Sequence, residues 1–393
     1  MKLTVVTIEP PFPPLHGGRV DVWRRLQAFA SHGVKLQLIY WYGKDLPTGA
    51  ELDEMRSLCD SVVGFPIKRG VSGRFKGILK LPFQSIYLTG RELSKDENAE
   101  LTKSVRDFSS DAIWADSIFG AKLAIELANL TGRPIFYRSQ NIEFQYRQKQ
   151  YERAIGLRGK AMAWMSKSSL GSFESMVFHR AETVFDISMD DLKYWKRHGV
   201  QDIQWLPPFI DDGLVDELQR SKSSPAFDIV YLGNLYTPNN IEGILWFVEN
   251  VFSNLRKKAN ITFLLAGSNP HPVIEKLGER PGIKLLPNVQ SVTEVYQQGK
   301  VLINPIFSGS GVNVKSVERL FSGKPVITTK QGVAGLPESV RSCFRLAANA
   351  DEFADLCLSA LTAGENNGCG SAELSEFKPA AISKVIEHIR SRL

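Results

Sequence analysis

Residues 301–329 read VLINPIFSGSGVNVKSVERLFSGKPVITT, and this run decides the fold. An apolar, partly β-branched stretch over 301–306 predicts a strand that runs into the small residues Ser308, Gly309, Ser310 and Gly311. A helix is expected over 313–322, stopped by Gly323, and a second strand over 325–329. Strand, turn, helix and strand in so short a run make a βαβ unit, which needs a parallel sheet with helices on its faces. Upstream the alternation continues. Strands are expected over 227–232, 261–266 and 283–286, with helices from about 241 to 252 and near 291–298. Gly233-Asn234 and Pro238-Asn239 supply the turn between the first strand and helix.

The N-terminal half repeats the architecture without repeating the sequence. Leu3 to Ile8 reads as a strand, followed by a proline-rich loop over 10–14 that ends at His16-Gly17-Gly18. A helix is predicted over 20–31, with Val22, Leu26 and Phe29 on one face; Gly33 stops it, and 34–40 reads as the next strand. Weaker strands are expected at 112–115, 134–137 and 183–187. The fold class is therefore α/β: two Rossmann-like, doubly wound domains facing a central cleft, with ligands at the carboxyl ends of the strands. Trp205-Leu206-Pro207-Pro208-Phe209 suits a stiff linker. The expected division is 1–206, then 207–375, with a closing helix over 376–393 packing back towards the first domain.

Composition agrees with a globular enzyme-sized chain. At 393 residues it exceeds what one core supports, and 43% hydrophobic with 23% charged residues excludes a disordered or fibrous chain. The net charge of +6 is a mild excess that favours anionic ligands or surfaces. Cys59, Cys343, Cys357 and Cys369 lie apart without metal spacing, so all four are expected as thiols in a reducing compartment. The N-terminal apolar run stops at Glu9, too short for a signal peptide, and no 18-residue apolar stretch follows. The expected location is cytoplasmic, with any membrane contact peripheral, at the inner face of the cell membrane.

The chemistry concentrates in the same 301–329 run. Free backbone N–H groups at a helix start, with the helix dipole behind them, bind anions. Ser308 to Gly311 lets backbone approach a phosphate closely, Lys315 adds a positive charge suited to a diphosphate, and Glu318, one turn on, suits ribose hydroxyls. The plainer reading is a tight turn with a solvated Lys and Glu. Elsewhere signals are absent: the six histidines show no metal-ligand spacing, there is no G-x-S-x-G elbow, and no D-x-D occurs. No cofactor is called for, and nucleic acid is a poor partner because the basic residues form no arm and carry no recognition motif.

With Gly323 to Thr329 and Gly332-Val333-Ala334-Gly335-Leu336 after it, the segment resembles the donor-site signature of retaining GT-B glycosyltransferases of family 4. Other stretches agree in order. His16-Gly17-Gly18 resembles that family's N-terminal glycine loop, Arg138-Ser139-Gln140-Asn141-Ile142-Glu143 its R-x-H-N-x-E stretch, and Leu206 to Asp211 its linker. Tyr231-Leu232-Gly233-Asn234, Pro238-Asn239 and Trp246-Phe247 resemble the start of its C-terminal domain. The resemblance implies a donor site of Gly17, Gly18, Gly233, Asn234, Gly267 with Ser268, Asn288, Val289, Ser308, Gly309, Ser310, Gly311, Val312 and Glu318, and catalytic roles for Lys315, Arg138 and Asp116.

It also implies the activity: a sugar moved from a nucleotide-diphosphate sugar to a glycan acceptor, a cell-surface polysaccharide or lipid-linked oligosaccharide, with retention of anomeric configuration and without a metal. Some positions depart from the family. Ser310 stands where the first of two glutamates is usual, and Asn234 and Asn240 stand where an Arg and a Lys usually clamp the diphosphate. That transfers the charge to Lys315, with Arg138 as a second candidate. Asp116 either orients an acceptor hydroxyl or caps a helix.

Two basic, apolar stretches, 61–91 and 147–167, suit an anionic membrane or are helices with solvated basic faces. The competing functions are a degenerate, non-catalytic sugar-nucleotide-binding protein and a nucleotide-sugar 2-epimerase on the same fold.

Overall fold

The computed structural model describes residues 1–67, 88, 90–220, 224–309, 311–363 and 368–393. The chain divides into two compact units: unit 1 is Met1–Phe209 with Pro379–Leu393, and unit 2 is Ile210–Lys378.

Unit 1 is built from β1 (Lys2–Thr7), α1 (Gly17–Ser31), β2 (Lys35–Tyr42), α2 (Gly49–Leu58), β3 (Ser61–Pro66), α3 (Lys95–Phe108), β4 (Ala112–Asp116), α4 (Ile118–Thr131), β5 (Ile135–Ser139), α5 (Glu143–Arg153), α6 (Gly156–Lys167), α7 (Leu170–Arg180), β6 (Thr183–Asp186), α8 (Met189–Arg197) and β7 (Ile203–Trp205). Its strands form one sheet in the order β3-β2-β1-β4-β5-β6-β7, and every pairing is parallel. The order reverses between β1 and β4, the position where doubly wound sheets open a crevice for ligands. β1 and β4 are buried on both faces, as a parallel sheet covered by helices requires. On one face Leu26 and Phe29 of α1 join Trp114, Phe136 and Phe185 of the strands, and the C-terminal helix Ile382–Ser391 adds Ile382, Val385, Ile386 and Ile389.

Unit 2 carries α9 (Asp212–Arg220), β8 (Phe227–Asn234), α10 (Pro238–Trp246), β9 (Phe263–Ser268), β10 (Ile283–Pro287), α11 (Val292–Gln297), β11 (Gly299–Asn304), α12 (Val314–Leu320), β12 (Val326–Thr329), β13 (Arg345–Ala347) and α13 (Ala350–Ala363). The sheet order is β10-β9-β8-β11-β12-β13, again all parallel, with its reversal between β8 and β11. α10 passes directly into a π-helical turn, Phe247–Phe252, and continues as Ser253–Lys258. Phe247, Val248, Val251 and Phe252 are all buried there. The wider turn keeps all four in the core, which explains why the expected single helix over 241–252 has this interruption.

Several differences from expectation have simple causes. Pro207, Pro208 and Phe209 fall in unit 1 rather than opening the second domain, because Leu206 and Phe209 are buried in the first core. Residues 376–378 fall in unit 2, where the Ile210 N–H donates to the Phe377 carbonyl at 2.7 Å. β7 and β13 have three residues each, too few to show a period, and β3 lies inside the basic stretch 61–91.

The thiol expectation is corrected for two cysteines: Cys343 and Cys369 form a disulfide, with Cα atoms 5.0 Å apart and a sequence separation of 26. No motif spacing announced it, since the pairing depends on the chain returning beside Cys343 after α13. Cys59 and Cys357 are free and buried, and burial pushes the Cys59 thiol up to about 12.

Candidate donor site and the buried charges of unit 1

The ends of four strands assemble the candidate donor site of unit 2. Gly233 at the end of β8 pairs in register with Gly267 of β9. Gly267 has φ +154°, and a Cβ there would stand 1.7 Å from the Gly233 carbonyl oxygen, so no side chain is tolerated. Asn288, with φ +51°, donates its N–H to the Gly267 carbonyl at 2.7 Å and accepts from the Asn269 N–H at 3.0 Å. Three expected residues are thus joined, with half-buried Val289 beside Asn288. Ser268 closes β9 with its own carbonyl accepting from the Leu235 N–H at 2.8 Å.

Asn234 has a different duty from the expected one. Its Oδ1 accepts from the N–H groups of Tyr236 at 2.9 Å and Thr237 at 3.1 Å, and Asn240 donates to its carbonyl at 2.8 Å. The two asparagines at the positions of the missing cations hold the β8–α10 turn together.

The loop after β11 supplies the other wall. Gly243 of α10 packs so closely that a Cβ would lie 1.8 Å from the Pro305 carbonyl oxygen. Ser308 Oγ lies 3.1 Å from both Asn239 Oδ1 and Glu242 Oε2, and Phe307 stands edge-on to Trp246 at 4.6 Å. Gly309 and Gly311 have φ of +149° and +70°, conformations that glycine alone adopts freely. Val312 is half-buried, and Ser310 lies outside the described residues.

Asn313 caps α12, its side chain accepting from the Ser316 N–H at 3.1 Å. A buried polar chain fixes this helix start: Asn304 Nδ2 donates to Ser316 Oγ at 2.8 Å, Ser316 Oγ to the Gly332 carbonyl at 2.6 Å, and Thr328 Oγ1 to the Asn304 carbonyl at 2.7 Å. The result is a glycine loop clamped to a rigid floor.

On that floor Lys315 Nζ reaches Glu318 Oε2 at 2.8 Å; the lysine side chain is 46% exposed and the glutamate 3%. Next to them lies Arg319, which sequence reading passed over. It is buried and donates to the Leu232 carbonyl at 2.7 Å, with its guanidinium 5.7 Å from the Tyr231 ring. Its Nε and Nη1 have no hydrogen-bond partner among the described residues. Through that bond to Leu232 a buried positive charge is fixed to the residue that precedes Gly233.

Unit 1 places its candidates differently. Gly17 and Gly18 open α1, and a Cβ on Gly17 would meet nothing within 4 Å. His16 and Arg19 beside them both contact Glu9, at 3.0 and 2.9 Å. One turn further, α1 carries Asp21 and Arg25 into the core, where they meet Asp116 at the end of β4 and Arg138 at the end of β5. Arg25 Nη1 is 2.7 Å from Asp21, its Nη2 pairs with Asp116, and Arg138 Nη2 is 3.2 Å from Asp21. Arg138 also donates to the Leu206 carbonyl, and Trp114 Nε1 to Asp116 at 3.3 Å. Two carboxylates and two guanidiniums make a neutral set.

Arg138 is 0% exposed and its charge is paired with Asp21. Asp116 does not cap α4, because its carboxylate faces Arg25 and Ser117 occupies the cap position. Its Oδ1 is buried and has no partner among the described residues. Burial pushes the Asp116 carboxyl up. Burial pushes on Asp21 too, but the Arg138 and Arg25 charges hold it below its ordinary value. Asp21 and Arg25 were legible only as a charged pair four apart on a helix with an apolar face.

Three further acids in this unit are raised by burial: Glu174 to about 8, Asp186 to about 7 and Asp191 to about 6. A folded-state value above the ordinary 4.5 or 3.8 means the folded chain holds more protons, so stability is lost as pH rises through those values. His388, lowered by burial, works in the opposite direction near its ordinary 6.5. Three acids outweigh one imidazole. The melting midpoint of unit 1 is expected to fall by roughly 5 °C between pH 5 and pH 8, read by near-ultraviolet circular dichroism. A flat profile overturns this, and Glu174→Gln should flatten it in part.

Comparison with known proteins finds a family match in the C-terminal half. Residues 226–363 match the glycosyl transferases group 1. The matched stretch covers the second sheet and its helices α10 to α13. The chain is 22% identical over 362 residues to an uncharacterized 44.6 kDa protein in the cps region of Klebsiella pneumoniae, covering 85% of this chain and 84% of the relative. Its fold is similar to that of Anabaena HepE in complex with UDP and glucose (TM-score 0.65, 13% identity, 100% of both chains). It is also similar to sucrose-phosphate synthase from Thermosynechococcus elongatus (TM-score 0.65, 12% identity, 100% of this chain and 98% of that one). The two parallel sheets and these likenesses give the GT-B fold. The stretch that matches the group 1 family lies wholly within unit 2 and contains the 301–329 run.

Proposed function

We propose that this protein transfers a sugar from a nucleotide-diphosphate sugar to a glycan acceptor, with retention of anomeric configuration. The observation that carries the reading is the Lys315–Glu318 pair at the head of α12, directly after the glycine loop of the stretch that matches the group 1 family. In this reading the diphosphate takes Lys315 from Glu318, and Glu318 then accepts from the ribose hydroxyls. Gly233, Gly267 and Asn288 border the nucleoside, and Ser308, Gly309, Gly311 and Val312 cradle the β-phosphate and sugar.

The anomeric carbon–oxygen bond to the β-phosphate breaks while the acceptor oxygen bonds on the same face, and the acceptor proton passes to the departing phosphate. Negative charge grows on that phosphate, so Lys315 and the loop N–H groups stabilise the transition state more than the bound donor. We assign the neutralising charge to protein rather than metal: no D-x-D occurs, and among the described residues no group of three His, Cys, Asp or Glu could hold an ion. Uridine is the first base to test, because HepE is a UDP complex. The acceptor proposed is a cell-surface polysaccharide or a lipid-linked oligosaccharide, which fits a relative from a cps region. A lipid-linked acceptor requires work at the inner face of the cell membrane, and no helix among the described residues is long and apolar enough to cross one.

The test is a thermal-shift panel of UDP, GDP, TDP and CMP with their sugars. One nucleotide at a hundred times its dissociation constant should stabilise the protein by about 2.7 kcal/mol. Release of that nucleotide from its sugar only when a glycan acceptor is added supports transfer. Acceptor-independent turnover favours the epimerase, and binding without turnover favours the degenerate binder.

A further inference from the structure

The helical hairpin α5–α6 of unit 1 has a firmly held base and an unpartnered tip. At the base, the Glu174 carboxylate of α7 accepts the N–H groups of Glu143 at 2.8 Å and Phe144 at 2.9 Å, and the Phe144 ring packs against Tyr194 and Trp195. The base therefore starts one loop beyond the carboxyl end of β5, and the eleven residues of α5 carry the tip roughly 16 Å along the helix from there.

The tip is apolar and bare. Ile155 and Leu157 are each 92% exposed, Met162 55% and Trp164 46%. Leu157, Ala161 and Trp164 recur at i, i+4 and i+7, so they share one face of α6, and Met162 borders it. From Arg153 to Lys167 there is no acidic residue. Arg153, Arg158 and Lys160 are exposed around the apolar face, whereas Lys167 is committed, 4.3 Å from the centre of the Tyr151 ring and bonded to Gln148.

An apolar wedge with a tryptophan, ringed by cations and free of carboxylates, complements a surface that is apolar below and anionic above. We propose that this tip docks on an anionic lipid bilayer, Ile155, Leu157 and Trp164 entering the headgroup region while Arg153, Arg158 and Lys160 meet lipid phosphates. Long basic side chains suit this position because their stems lie along the apolar face and their heads stay in water. The proposal gives the glycosyl-transfer reading a place for a lipid-linked acceptor, but the docking itself requires neither donor nor acceptor.

The experiment is co-sedimentation of the full chain with phosphatidylcholine–phosphatidylglycerol vesicles against pure phosphatidylcholine vesicles, with no nucleotide present. Binding to the anionic vesicles alone, weakening as salt is raised, is expected. Each basic residue near such a surface strengthens binding about five-fold, so Arg153→Gln, Arg158→Gln and Lys160→Gln together should weaken it about a hundredfold. Ile155→Ser with Leu157→Ser should also abolish most of it. These positions are exposed, so the melting midpoint should not move, which separates lost docking from lost folding. Equal binding of both variant sets, or no vesicle binding by the parent chain, overturns the proposal. So does a concentration-dependent doubling of mass that Leu157→Ser removes, since the tip would then join two copies of the chain. Failure of docking leaves the nucleotide panel untouched, and failure of the panel leaves docking untouched.

Discussion

Lys315→Ala is expected to reduce sugar transfer by about a hundredfold or more, while moving stability by only about 1 kcal/mol. The two magnitudes differ because the lysine does two unrelated things. In the free protein it makes a half-exposed ion pair with Glu318 at 2.8 Å, and such pairs contribute little to folding. In the proposed reading it becomes, with donor bound, the charge nearest the leaving diphosphate, since Asn234 and Asn240 are uncharged. Removing one well-placed stabiliser of a developing oxyanion costs about 3 to 4 kcal/mol of barrier.

Glu318→Ala is expected to act earlier in the cycle: loss of the ribose contact should weaken nucleotide binding, so the thermal shift produced by the best nucleotide shrinks. Steady-state rates and the same thermal panel read both variants. If Lys315→Ala transfers sugar at the parental rate, the charge must come from elsewhere, and Arg319 beneath Leu232 is the next to change. If both variants bind and turn over normally, the donor site is not at the head of α12.

Asp21→Ala is expected to destabilise unit 1 by about 3 to 5 kcal/mol, which lowers its melting midpoint by roughly 10 °C. Asp21 is the carboxylate shared by Arg25 and Arg138, at 2.7 and 3.2 Å, so its loss leaves two buried guanidiniums facing Asp116 alone. Replacing all four charged residues by apolar ones of similar volume should restore much of the loss, since a neutral apolar set has no desolvation penalty to offset. Urea unfolding of unit 1 measures both variants. A change of less than about 0.5 kcal/mol in Asp21→Ala, the size of a surface substitution, would mean that water reaches the cluster. Arg138 and Asp116 would then return as groups able to touch substrate.

These two sites explain what could be read from sequence. The strand, turn and helix of the candidate loop were legible because their information is local: Ser308, Gly309, Gly311, Lys315 and Glu318 follow one another in sequence. Both sheets were legible for the same reason, wherever strands were long enough to show a period. The pairing of Arg138 was not legible because Asp21 lies 117 residues away, and no local spacing records that contact. Arg319 and the Cys343–Cys369 bond were missed likewise, one being fixed by the carbonyl of Leu232 and the other by a return of the chain. Asn234 and Asn240 look like defects in a sequence pattern, and in the fold they are the hydrogen bonds of a turn.

The helix Ile382–Ser391 imposes an order on biosynthesis. Its four apolar side chains fill the same core as Leu3, Phe29 and Trp114, so that core is incomplete until they leave the ribosome. Unit 2 is a continuous run from Ile210 to Lys378 and emerges whole before them. Domains made in sequence ordinarily fold from the N-terminus onward. Here the half whose synthesis starts first is sealed only after the other half has emerged.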